Sequence, residues 1–261
     1  MATDDPAWIY ETRLVPTIFE PWARVLIHLA RPQEGEHVLD ACCGTGAVAR
    51  IVAPIVGRSG NTTGLDFDAG MIALAQRLSP EVEWRVGDLQ NLPFTDGAFD
   101  LVICQQGLQF LPNREAGLNE IYRVLRRGGR MVLGTWTQLA KSPAHETLFH
   151  GLGATLGIDM NMPPAWSLPE ERQITTLVSS AGFVDIKTSV ELLYSEFSSA
   201  RQFVETIIDG SSKLTRQMLA QLPNDRKVAF IDDVAARLRG FETVGALKVP
   251  MESRLLIGWK S

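Results

Sequence analysis

The stretch Val38-Leu39-Asp40-Ala41-Cys42-Cys43-Gly44-Thr45-Gly46 concentrates more potential chemistry than any other part of the chain. An apolar run stops, a loop of small residues turns, and a helical pattern begins. Glycines at 44 and 46 let the backbone come close to a ligand, where a Cβ would collide with it. Free N–H groups at the start of the next helix favour a polar or anionic group, such as the carboxylate of an amino acid. Alone the loop is ambiguous, because Gly44-Thr45-Gly46-Ala47-Val48-Ala49 also fits the dinucleotide pattern G-x-G-x-x-A. Asp66, ending the next apolar run, can accept both hydroxyls of a ribose in either class.

Three features separate the classes. Asp40 precedes the loop, where a carboxylate can bind the ammonium of a methionine moiety and would repel a pyrophosphate. Gly87-Asp88-Leu89 follows a third strand-like run, so an acid can accept from an adenine amino group while Leu89 packs on the ring. Phe99-Asp100-Leu101-Val102-Ile103-Cys104 leads into the polar pair Gln105-Gln106.

Apolar runs and amphipathic stretches alternate along the chain, the pattern of a βαβ protein. Strands are expected at 37–41, 61–67, 82–86, 99–104, 130–136, 184–192 and 254–259. Helices are expected from Pro21 through Leu29, over 47–56, from Asp68 as cap through Leu78, and from Asn113 as cap to Gly128-Gly129. Ser167 and Glu170 predict a capping box ahead of a helix to Ser180, with Gly182 just beyond it. Continuous apolar runs mark strands one, four and five as covered on both faces, whereas the third and sixth alternate strictly and suit the two sheet edges. Residues 196–245 break the alternation. They read as helices near 200–209, 213–222 and 225–239, an insertion placed to cap the carboxyl ends of the sheet, where open α/β folds bind ligands.

Length and charge narrow the classes. The 261 residues, 45% apolar, can bury one large core. A formal charge of −5 disfavours a nucleic-acid backbone as partner. Cys42, Cys43 and Cys104 read as small hydrophobes in a reducing compartment, and the four histidines have no metal-ligand spacing with them. Residues 1–10 carry acids and lack the apolar segment of a signal peptide, and no run is long enough to span a membrane. The expectation is a soluble, cytoplasmic protein without metal; its oligomeric state is not readable.

LDACCGTG, GLDFDAGM, GDLQNLPF, FDLVICQQGLQFLPN and YRVLRRGGRMVLGTW occur in the order and at the spacing of a known family. Across residues 36–136 the chain resembles class I S-adenosylmethionine (SAM)-dependent methyltransferases of the ubiquinone/menaquinone-biosynthesis-like group. The resemblance implies a single Rossmann-like α/β domain over 1–261. Its seven strands would run in order 3-2-1-4-5-7-6 with strand 7 antiparallel. A helical lid over 1–35 and the cap insertion over 196–245 would flank the SAM-binding core. It also implies that Cys42, Gly44, Thr45 and Gly46 line the methionine part of SAM and that Asp66 holds the ribose. Phe67 and Met71 would flank the adenine, with Asp88 and Leu89 at its edge, and Gln105 would offer its backbone carbonyl to the ammonium. Cys42 is a departure, since many relatives have Gly or Ala there.

The implied activity is methyl transfer to the O, C or aliphatic N of a small molecule. Cys104-Gln105-Gln106-Gly107 replaces the motif used for planar amide nitrogens. Tyr10, Gln109 and Trp136 are candidate acceptor contacts, and His145 and His150 candidate general bases. Two rivals stay open: a protein that binds SAM without methylating, and an NAD(P)-dependent oxidoreductase.

Overall fold

The computed structural model describes residues 5–210, 213–243 and 245–261. Residues 1–4 of the expected lid, and 211–212 and 244 of the expected cap, lie outside the described residues. Asp5 accepts from the Ala7 N–H at 3.0 Å and starts α1 (Pro6–Ile9). A wide π-type helix, Tyr10–Phe19, leads from it into α2 (Glu20–Ala30), where Pro21 takes a first-turn position that needs no N–H.

The alternation follows as β1 (His37–Ala41), α3 (Ala47–Val56), β2 (Asn61–Asp66), α4 (Ala69–Leu78), β3 (Glu83–Val86) and β4 (Phe99–Gln105). Then come α5 (Arg114–Val124), β5 (Leu125–Trp136), α6 (Pro143–Leu156), α7 (Glu171–Ser180) and β6 (Val184–Phe197). The chain closes with α8 (Ala200–Asp209), α9 (Lys213–Ala220), α10 (Asn224–Arg237), β7 (Glu242–Thr243) and β8 (Ala246–Trp259).

The strand order is β3-β2-β1-β4-β5-β8-β6. The first five strands are parallel and β8 is antiparallel to β5. This is the expected Rossmann-like sheet, with the two alternating strands at its edges. The strand expected seventh is β8, because the two-residue β7 pairs with its start. Both β6 and β8 run longer than expected.

Contacts divide the chain into two compact units. The sheet unit holds residues 19–137, 164–191 and 253–261. Its core packs Leu39, Val102, Met131 and Leu133 of the strands under Leu118 and Ile121 of α5 and Ile174 and Val178 of α7. The guanidinium of Arg130 ties two elements together. It donates to both carboxylate oxygens of Glu36 at 2.7 and 2.9 Å, and to the Ala30 carbonyl at the end of α2 at 2.7 Å. The helical unit holds residues to 18, 138–163 and 192–252, with α10 packed on α6 and α8. There a Cβ on Gly151 of α6 would meet Val234 of α10 at 2.8 Å, so the glycine sets how closely those two helices approach.

Two expected caps are replaced. Helix α5 stops at Val124 rather than at Gly128-Gly129, and the chain enters β5 at once. Its last carbonyls are met by a distant lysine: Lys260 Nζ donates to Tyr122 and Leu125 at 2.8 Å and to Arg123 at 3.3 Å. A cation there satisfies orphan carbonyls and the negative end of the helix, so no glycine is needed. The Lys260 ammonium also stands 4.8 Å over the Tyr122 ring. Lys260→Met is expected to lower unfolding free energy by about 1–2 kcal/mol, read from urea denaturation at unchanged m-value. The Ser167–Glu170 capping box does not form. Ser167 Oγ instead donates to the Gln109 carbonyl at 2.8 Å and accepts from Arg114 at 2.6 Å, and Glu170 starts α7 without a side-chain cap. By contrast, Asp68 and Asn113 cap α4 and α5 as expected.

Candidate active site

Strand β1 delivers Asp40 and the glycine loop to the carboxyl end of the sheet. Asp40 is 1% exposed, and its Oδ2 accepts from the Ala49 N–H of α3 at 2.9 Å. Burial raises its pKa to about 8. What the geometry gives Asp40 is a brace between β1 and the first turn of α3.

The loop runs through left-handed backbone at Cys42 (φ 59°), Gly44 (φ 55°) and Gly46 (φ 86°). Thr45 is fully buried. Gly46 has a reason the sequence did not show. A Cβ there would lie 2.1 Å from Trp84 Cη2, and one on Gly64 would lie 2.3 Å from Trp84 Cζ3. The two glycines form the slot into which the β3 indole fits.

Asp66 closes the loop from the neighbouring strand. Its Oδ2 accepts from the Gly44 N–H at 2.8 Å and its Oδ1 from the Asp68 N–H at 2.9 Å. Burial raises its pKa above the usual carboxylate range, against the pull of those backbone donors. Phe67 follows with 79% of its surface exposed, an apolar ring left open beside a buried carboxylate. Met71 is half-buried on α4. Asp88 is exposed after β3 and accepts from the Gln90 N–H at 2.8 Å. Leu89 turns the other way, 2% exposed and packed in the core of the sheet unit.

Gly107 brings the β4 loop against the glycine loop. A Cβ on it would lie 2.5 Å from Cys42 Cβ and 2.9 Å from Cys104 Sγ. A hydrogen bond with Cys104, and then burial, push the Cys42 thiol well above its usual range, which disfavours the thiolate.

Beyond Gly107 lies a set of buried amides. Gln105 donates to the Phe19 carbonyl at 2.8 Å and Gln106 to Ser253 at 3.1 Å, and the amide oxygen of each has no partner among the described residues. Gln109 is 3% exposed, and neither its Oε1 nor its Nε2 has a partner among the described residues. Buried polar atoms are rarely left so, and several at one end of a sheet mark a place built for polar company. Trp136, from the end of β5, meets Trp22 edge-on at 5.6 Å and stacks on Trp166 at 6.2 Å. Trp22 and Trp166 were not anticipated as neighbours of this end of the sheet. Only the strand register and the return of the 164–166 turn bring them to residues 105–109 and 136.

Tyr10, His145 and His150 belong to the helical unit. Tyr10 is half-buried and His150 exposed. His145 is 2% exposed, edge-on to Phe203 at 5.1 Å, and burial lowers its pKa to about 3. An imidazole that resists protonation so strongly is a poor proton acceptor near neutral pH. Among the described residues no cluster of three or more His, Cys, Asp or Glu could hold a metal ion, and no helix is long and apolar enough to cross a membrane.

Residues 39–133 match a family described as a methyltransferase domain. A demethylmenaquinone methyltransferase of Lactobacillus johnsonii is 39% identical over 116 residues, 42% of this chain and 48% of that protein. A ubiquinone/menaquinone biosynthesis C-methyltransferase of Rubrivivax gelatinosus is 30% identical over 181 residues, 64% of this chain and 70% of that protein. The chain spans about half the length of the first of these relatives. Among solved structures, a methyltransferase assigned as such in Bacillus halodurans superposes with a TM-score of 0.60 at 21% identity, covering 91% of this chain and 98% of that one. The [4+2]-cyclase SpnF superposes at 0.56 with 18% identity, covering 92% and 81%. Likenesses this distant establish the fold and leave the chemistry to the site.

Proposed function

We propose, from the premise that this chain belongs to the class I SAM-dependent methyltransferases of the ubiquinone/menaquinone-biosynthesis-like group, that it methylates a small, uncharged, planar acceptor bearing a hydroxyl or carbonyl. The observation that carries the acceptor class is Gln109. Its buried amide keeps a donor and an acceptor in hand, and Trp22, Trp136 and Trp166 of the same unit, themselves buried, make its surroundings apolar and aromatic. The named acceptors of the relatives, demethylmenaquinone among them, are of this chemistry.

The loop residues fit SAM. Asp66, a buried carboxylate at the end of β2, would take the ribose hydroxyls, and the exposed Phe67 with Met71 and Asp88 would hold the adenine. Cys42, Gly44, Thr45 and Gly46 would line the methionine chain, with Asp40 and the Gln105 carbonyl towards its ammonium. When bound, SAM supplies a methyl group on a cationic sulfur, an electrophile that needs only an aligned nucleophile. The work left to the chain is to fix the acceptor, keep water away and hold its oxygen, and positioning of this kind can supply much of a rate enhancement. Gln109 Nε2 donates to a carbonyl or hydroxyl oxygen, and its Oε1 accepts from a hydroxyl. No general base is assigned. Residues 1–35 and 196–245 are proposed as lid and cap, the acceptor as a small molecule rather than a nucleic acid, and the compartment as the cytoplasm, which suits three free thiols.

The test is calorimetric titration with SAM, S-adenosylhomocysteine and NADH, followed by methyl-label transfer to a panel of hydroxynaphthalenes and reduced quinones. Binding of both adenosyl ligands and a labelled product are expected. Gln109→Leu should keep adenosyl binding while lowering kcat/KM for the acceptor by roughly ten- to a hundredfold, the loss from two unmade hydrogen bonds. Binding without product over the whole panel would favour a non-methylating SAM protein, and binding of NADH alone would reinstate the oxidoreductase.

A further inference from the structure

Strand β6 ends the sheet: β8 flanks it on one side, and among the described residues no strand lies on the other. A long free edge carries unpaired N–H and C=O groups, which proteins commonly blunt with short strands, proline or inward charge. Here the strand has 14 residues, no proline, and apolar side chains in the open: Val190 is 45%, Leu192 49% and Tyr194 61% exposed.

The order of residues along that edge is self-complementary. In an antiparallel pairing of two copies about Ser189, Lys187 of one copy falls opposite Glu191 of the other, and Glu191 opposite Lys187. The same register sets Ile186 opposite Leu192 and Thr188 opposite Val190, each twice by symmetry. Opposite charges and apolar pairs directly across strands are the stabilising combinations, and the arrangement is that of a closed twofold interface. Shifting by one residue in the offset between copies removes both charge pairs. Within its own chain Lys187 stands over the Trp259 ring at 5.8 Å, and Glu191 has no ion-pair partner among the described residues. Asp185 takes a left-handed conformation (φ 51°) and bounds the regular ladder on one side.

We infer that the outer edge of β6 docks a second copy of this chain, β6 to β6 in antiparallel register about Ser189, to give a continuous sheet across a homodimer. The proposal is independent of the methyltransferase reading. Sedimentation at micromolar concentrations is expected to show a dimer for the native chain. Lys187→Glu and Glu191→Lys each set like charges opposite one another twice, and each should weaken the dimer by roughly tenfold or more. The double variant Lys187→Glu/Glu191→Lys restores opposite charges in the same register and should recover the native association, which also guards against misfolding as the cause. A native monomer, single variants that dimerise normally, or a double variant that fails to recover would each overturn the proposal.

Discussion

Asp66→Ala should bind SAM and S-adenosylhomocysteine at least about a hundredfold more weakly than the native chain, the largest functional loss expected from any single change. In the proposed role, two ribose hydroxyls would donate to the one buried carboxylate as charge-assisted bonds. Losing them costs about 3 kcal/mol, which converts to a factor of roughly a hundred to two hundred. The side chain has a second task in the same place. Its Oδ2 receives the Gly44 N–H and its Oδ1 the Asp68 N–H, so it also fastens the glycine loop to the start of α4. Asp66→Asn separates the two tasks. An amide oxygen can still serve one backbone donor, while its NH₂ faces the other and pairs with neither that donor nor a donating hydroxyl. Calorimetry should therefore find Asn nearly as damaging as Ala for both ligands, with a far-ultraviolet spectrum unchanged in either. Native-like affinity in Asp66→Asn would remove the carboxylate from the ribose and reopen the assignment of the β2 terminus.

The parts of this fold that could be read from the sequence are those decided by neighbours in the chain. The limits of β1 and α3 and the caps at Asp68 and Asn113 follow from apolar runs, side chains two or three residues from the N–H they bind, and glycines at turns. The amphipathic helices of 200–237 are legible for the same reason, with Ser199 accepting from the Gln202 N–H at 3.1 Å as a local start signal. What could not be read depends on distant partners. The end of α5 is set by a lysine 138 residues beyond Tyr122, so the adjacent Gly128-Gly129 gave a plausible but wrong stop. The Ser167 cap was lost to the Gln109 carbonyl, 58 residues earlier, which offered its hydroxyl a better-placed acceptor. At the site, Asp40 was visible and its ionisation was not, because burial is a property of the finished core. The proposed acceptor side shows the same division: Gln109 and Trp136 stand out as residue types after β4 and at the end of β5, but the unpartnered state of the amide among the described residues and the three-indole cluster exist only once β4, β5 and the 164–166 turn have met.

Gly46→Ala is the structural counterpart, expected to lower the unfolding free energy by about 3–4 kcal/mol. The left-handed backbone at φ 86° costs an L-residue about 1–2 kcal/mol, and an inserted methyl group without room costs a similar amount or more. Room is absent because the new Cβ would stand 2.1 Å from Trp84 Cη2 and 2.7 Å from Cζ3. The indole cannot easily withdraw. Its Nε1 donates to the Ser79 carbonyl at 2.8 Å, and its other side lies against Gly64. Trp84→Leu empties the slot at its own cost, about 2–3 kcal/mol for a partly relaxed cavity. The double variant should then lose about 1–2 kcal/mol less than the sum of the two, the clash being gone and only the dihedral strain left. Urea denaturation of the four chains measures this coupling directly. Strict additivity would mean that Trp84 is not what excludes a side chain at 46. A stable Gly46→Ala chain that had lost SAM affinity would return the glycine to the role its position in the loop first suggested, close approach of the backbone to a ligand.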